Sequence, residues 1–139
     1  MRRILLITIG LSVSIWADFT RDNTTQIVTD TNTKLQWQDN ESVSKKWTEA
    51  IDYCEALTLG GYNDWRLPNQ NELRSIADRS KREPAISSTF QYVAYYYYWS
   101  SSTVVGDEYR AWGVNFNYGY DDWRNKSDEY YVRCVRDGQ

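Results

Sequence analysis

The chain has 139 residues with 16 basic and 19 acidic side chains, a net charge of −3, and no histidine. That balance gives no overall basic footprint for nucleic acid or sulfated polysaccharide. Without histidine, the usual general base, the usual metal ligand and every Ser-His or Cys-His nucleophile arrangement are excluded.

In chain order, Arg2 and Arg3 precede the apolar run from Ile4 to Ile15, and the small residue Ala17 stands before Asp18. This pattern predicts a secretory signal peptide over residues 1–17. The run is shorter than the roughly 20 residues a permanent span requires, and no later stretch is long and apolar enough to span a membrane. The expected product is residues 18–139, soluble and periplasmic or secreted. Removing the leader takes two of the 16 basic residues and none of the 19 acidic ones, which leaves 14 against 19 and a net charge of −5. The remaining length suits a single domain.

Gln26 to Val28 and Lys34 to Trp37 alternate polar with apolar, with the turn-forming Asp30 to Thr33 between them, so Phe19 to Gln38 reads as a short hairpin. After the polar stretch from Asp39 to Lys46, Trp47, Ala50, Ile51, Cys54 and Leu57 recur every three or four residues, one face of an amphipathic helix. Gly60 and Gly61 can end it in the left-handed cap conformation.

Trp65 to Leu73 reads as a strand-to-helix junction. Pro68 holds Leu67 extended, Asn69 can cap, and Glu72 three residues on can reach back in a capping box. Leu73, Ile76 and Ala77 continue an apolar face until the charged stretch from Arg79 to Glu83 precedes Pro84. Arg66, at the junction, is a structural residue in this reading, its guanidinium bonding carbonyls or a carboxylate.

Tyr95 to Thr103, Ala111 to Phe116 and Tyr130 to Val135 have strand composition. With alternate faces, the first buries two or three of its aromatic residues. Asn117 to Glu129 reads as a loop rich in Tyr, Asn, Asp and Trp. A hairpin, two helices and a run of antiparallel strands with long loops make an α+β domain.

Cys54 and Cys134 are the only cysteines, and export places them where a disulfide persists. Closing a loop with ends 80 positions apart is worth roughly 4 to 5 kcal/mol in the chain-entropy estimate. A reactive or metal-binding thiol is the alternative, but the sequence offers few partner ligands for one.

Gly60 to Pro68 with Glu72 and Leu73, Tyr98 to Ser102, Tyr131 to Arg136, and the opening Ile27 to Asp30 with Leu35 to Trp37 together resemble the Lcl C-terminal domain family. That family is found at the end of bacterial collagen-like adhesins and in many exported proteins of unknown function. Arg66 to Pro68 with Glu72, and Arg133 to Arg136, are also similar to the formylglycine-generating, sulfatase-modifying enzymes. The resemblance implies a C-type-lectin-like fold in which a disulfide joins the first helix to the final strand. It does not imply that enzyme activity, which uses a further cysteine pair at a copper site. Clear counterparts of the calcium motifs of sugar-binding C-type lectins are lacking, and Asn63 to Trp65 has similar letters in another order.

Twelve tyrosines and seven tryptophans exceed what a core of this size needs, so some are expected on the surface, where aromatic faces stack on sugar rings. The candidate ligand residues are Tyr109, Trp112, Asn115, Asn117, Tyr118, Tyr120, Asp121, Asp122, Trp123 and Arg124. The alternative is that the aromatic ones pack against the helices and the polar ones cap turns. Asp107 with Glu108 and Asp121 with Asp122 offer oxygen ligands to calcium, although paired acids are more often solvated loop residues. No other cofactor and no metal site is expected.

The leading expectation is a non-enzymatic binding module for a glycan or protein. One alternative is a hydrolase using paired carboxylates about 5 to 10 Å apart; another is an oligomerising adhesin or structural domain, although no collagen-like or coiled-coil stalk is present to impose a trimer.

Overall fold

The computed structural model describes residues 18–138, so the leader expected over residues 1–17 lies outside the described residues. Among the described residues no helix is long and apolar enough to cross a membrane.

The predicted hairpin is there, extended by a strand in front. Phe19–Asp22 (β1), Ile27–Asp30 (β2) and Gln36–Gln38 (β3) run antiparallel in sequence order. Asp30 shapes the turn: its carboxylate accepts the N–H groups of Asn32 and Thr33, and its carbonyl accepts that of Lys34. The polar stretch after Gln38 hides a further strand, Val43–Lys45 (β4). Trp47–Glu55 (α1) follows the predicted periodicity and buries Ala50 and Cys54. Gln70–Ser75 (α2) is shorter than its apolar face suggests. Its ending coincides with Ala77 bridging to Ile86, which draws the chain into extended pairing.

Tyr97–Val104 (β5) and Asp107–Asn115 (β6) form a hairpin through Gly106, which takes φ +79°. Two of the five consecutive aromatics, Tyr98 and Trp99, are buried, while Tyr95 and Tyr96 are exposed. The reading of Asn117 to Glu129 as a loop is overturned: Tyr120–Asn125 (β7) pairs in register with β6 along its whole length. Gly119, at φ +87°, lets the turn close between them. The strand is polar because it lies at the edge of a sheet, where an apolar run would be a liability.

The predicted strand from Tyr130 to Val135 is two strands in two sheets. Tyr130–Val132 (β8) lies between β4 and β5, and Val135–Arg136 (β9) pairs with β3. The result is a four-stranded sheet β1-β2-β3-β9 and a five-stranded sheet β4-β8-β5-β6-β7. The fold is α+β and mostly sheet, with Cys54 of α1 bonded to Cys134 between β8 and β9.

Successive residues of β5 face opposite sides of its sheet. Tyr98 packs with Val114, Phe116 and Leu73 in one apolar cluster, and Trp99 packs with Ala111, Val132 and the disulfide in another. Directly after β3 lies a buried charge. The Asp39 carboxylate accepts Arg21 Nε at 2.6 Å, Arg133 Nη1 at 3.1 Å and the Gln91 and Tyr92 N–H groups at 3.0 Å each. Arg133 also donates to the Gln38 and Tyr92 carbonyls, and the Gln38 side chain accepts the Cys134 N–H at 3.0 Å.

Truncating one partner of a buried ion pair strands the other charge, at about 3 to 5 kcal/mol. Asp39→Ala is therefore expected to lower unfolding stability by that amount in urea titrations of the oxidised protein. A loss within about 0.5 kcal/mol, the range of ordinary surface changes, would contradict this role.

Candidate functional site

The ten residues singled out in sequence come together on or beside one hairpin, but not on one surface. In the β6–β7 register, Trp112 faces Trp123, Arg110 faces Asn125, and Val114 faces Asp121, so these share one side of the sheet. Ala111 faces Arg124, Gly113 faces Asp122, and Asn115 faces Tyr120, and these share the other side, on which alternation also places Tyr109. Asn117 and Tyr118 lie in the connecting turn, where Asn115 Oδ1 accepts the Asn117 N–H at 2.8 Å.

On the first side, the Arg110 guanidinium lies 3.9 Å from the centre of the Trp123 ring. It is tethered by Asp107 at 3.3 Å and by Asn125 Oδ1 at 3.4 Å. Trp112 is half-buried beside it, so the strip is braced. On the second side, Arg124 stacks on Tyr97 at 3.8 Å and lies near Tyr130, which meets Trp99 edge-on at 5.1 Å. Burial pushes the Tyr130 hydroxyl pKa up, with Arg124 opposing. Four aromatics in and around the hairpin remain exposed: Tyr109 (74%), Tyr120 (61%), Tyr118 (42%) and Trp123 (38%).

Because Asp121 and Asp122 are neighbours on a strand, their side chains leave opposite faces and do not converge on one cation. Asp121 is held by Arg79 at 3.3 Å and Arg74 at 3.7 Å. Asp122 lies 3.8 Å from Arg124 and accepts the Trp123 N–H. Among the described residues no group of three or more acidic, cysteine or histidine side chains could hold a metal ion.

Sequence reasoning missed a cleft of about 780 Å³ between the end of α2 and β1, lined by Phe19, Arg74, Ser75, Arg79, Lys81 and Ser87 among others. The only signal was the charged stretch after Ile76, which reads equally well as a helix fading into solvent. Gly119 also borders the cleft and gives its carbonyl to Arg79 Nε at 3.0 Å.

The Trp65 to Leu73 junction serves structure. Arg66 makes a two-pronged bond to Glu72 at 2.7 and 2.8 Å and a third bond to Asp137, and its backbone pairs with Val135. Pro68 is buried, and its carbonyl accepts the Ser101 N–H at 2.7 Å. The expected capping box forms between Asn69 and Glu72. Asp64 belongs to a similar clamp: it holds Arg136 Nε at 2.7 Å, and that guanidinium lies 3.6 Å from the Tyr62 ring centre.

Two sheets, a helix-to-strand disulfide and a braced aromatic hairpin define a disulfide-tied α+β domain. A family model for the Lcl C-terminal domain matches residues 26–136, and the chain belongs to that family. No curated protein matches it.

Arg66 first, and the Asn69 N–H after it, hold the Glu72 carboxyl below its ordinary range. Stability from this group is therefore present above the ordinary glutamate pKa of about 4.3 and lost as pH falls through the lowered value. Glu72→Gln should cost about 1 kcal/mol at neutral pH and flatten the acid limb of the stability profile. Parallel acid limbs for variant and parent would refute the assignment.

Proposed function

We propose that the chain is an exported, non-enzymatic binding module of C-type-lectin-like fold that recognises a glycan through the aromatic strip on the β6–β7 hairpin. One observation carries the reading: Trp112 and Trp123 stand cross-strand on one side of the sheet, with Arg110 laid against the Trp123 ring. A flat, immobilised indole offers a sugar ring a stacking surface at little entropic cost. Asn125 and Arg110 beside it offer an amide and a cation that can fix the orientation of ring hydroxyls. Binding is favoured over hydrolysis because Asp121 and Asp122 point to opposite faces and each is engaged by arginine. A hydrolase would need two carboxylates across one cleft. The disulfide and the polar surface suit an oxidising compartment outside the cytoplasm.

A glycan array probed with the oxidised protein should give a defined set of ligands. Trp123→Ala should weaken binding at least about tenfold, the effect of losing roughly 1.4 kcal/mol at an aromatic hot spot, while circular dichroism and the unfolding midpoint stay close to those of the parent. Folded protein that retains no glycan on the array would sink the reading, as would a Trp123→Ala variant that binds like the parent.

A further inference from the structure

The hairpin ends the five-stranded sheet, and among the described residues β7 pairs with β6 on one side and with no strand on the other. Lys126 N–H donates inward to the Tyr109 carbonyl at 2.9 Å. By antiparallel alternation the outward backbone groups of β7 are then those of Asp121, Trp123 and Asn125. One is stoppered from within the strand: the Trp123 N–H donates to Asp122 Oδ1 at 2.8 Å. Just before the strand, Arg79 caps the Gly119 carbonyl, and at its end the Asn125 carbonyl accepts the Asp128 N–H at 3.0 Å, so the open edge runs from Asp121 to the Asn125 N–H.

We propose that this edge pairs antiparallel with β7 of a second copy of the chain, about a two-fold axis that passes through Trp123 perpendicular to the sheet. Facing residues in such a pair share one side of the sheet, so the axis must pass through a residue position of β7. Charge then selects which one. With Trp123 at the axis, Asp122 faces Arg124 of the other copy twice over, Asp121 faces Asn125, and Tyr120 faces Lys126. Moving the axis by one residue sets Asp122 opposite itself or Arg124 opposite itself. Moving it by two sets Asp121 opposite itself or Arg124 opposite Lys126. Like charges directly opposed destabilise a cross-strand pair, and opposite charges support it. The sequence Asp122-Trp123-Arg124 is thus complementary to its own reverse.

On pairing, the Trp123 N–H exchanges its bond to Asp122 for the Trp123 carbonyl of the partner copy. The freed Asp122 carboxylate turns to the Arg124 guanidinium across the axis. The five-stranded sheet becomes a ten-stranded one, and the Trp112–Trp123 strip of each copy continues into that of the other. The pairing stands on register and charge alone and does not depend on a ligand.

Sedimentation velocity on the oxidised exported chain, from micromolar to about 1 mM, the weak limit of useful association, should show a reversible monomer–dimer equilibrium. Asp122→Arg alone and Arg124→Asp alone should each weaken dimerisation at least tenfold. An equimolar mixture of the two should restore it as a mixed dimer, because each variant supplies the charge the other lacks. Arg124→Asp also gives up the stack on Tyr97, so circular dichroism accompanies it. Asn125→Pro, which removes an outward N–H that β6 does not use, should be monomeric while folded. A parent chain that stays monomeric at about 1 mM overturns the proposal. So does a dimer indifferent to both charge reversals, which must use another surface.

Discussion

The structure depends on a carboxylate that water does not reach. Asp39 follows β3 directly, and the groups it accepts come from β1, from the segment after Phe90 and from the link between β8 and β9. Three separate parts of the chain are thereby tied to one point. A buried anion is costly unless its lone pairs are filled, and here two guanidiniums and two backbone N–H groups fill them. The geometry that satisfies Asp39 also holds the link between β8 and β9, where the chain passes from one sheet to the other, against the end of β3. Arg133 adds to this, because its guanidinium spans the Gln38 and Tyr92 carbonyls while lying 4.8 Å from the Phe90 ring centre.

The disulfide acts beside that network. Cys134 lies in the link where the chain leaves the five-stranded sheet for the four-stranded one, and its N–H is held by the Gln38 side chain. The covalent bond fixes α1 to this link, and the charge network fixes the link to β3. Each restraint limits the freedom the other must remove, so the crossover between sheets is held from both sides.

Some of this was legible in sequence for clear physical reasons. The α1 face, the Asn69 and Glu72 box and the pairing of the two cysteines rest on local spacing or on a count of two with few partner ligands for a free thiol. β7 was not legible, because an edge strand exposed to water has no apolar alternation to display, and Tyr120 to Asn125 is half charged. The break of the last strand at Arg133 and Cys134 was also hidden: Tyr130 to Val135 has uniform strand composition, and only the separate demands of Asp39 and Cys54 divide it. The candidate site was half legible. The aromatic richness of the hairpin marked the right segment, but without the strand assignment its residues could not be sorted between two faces, and Asp121 and Asp122 read as a pair.

The route of the covalent link through the chain has a consequence for biogenesis. α1 comes early and its sulfur partner lies 80 positions later, so the helix must wait while nearly all of both sheets is made. Neither sheet is complete before that point either, since β8 and β9 are inner or closing strands of the two. Maturation is therefore bound to come as a single late event in which oxidation and sheet closure arrive together. Until then the nascent chain carries an open thiol and unpaired strands, the state in which an oxidant and a holding chaperone are needed most.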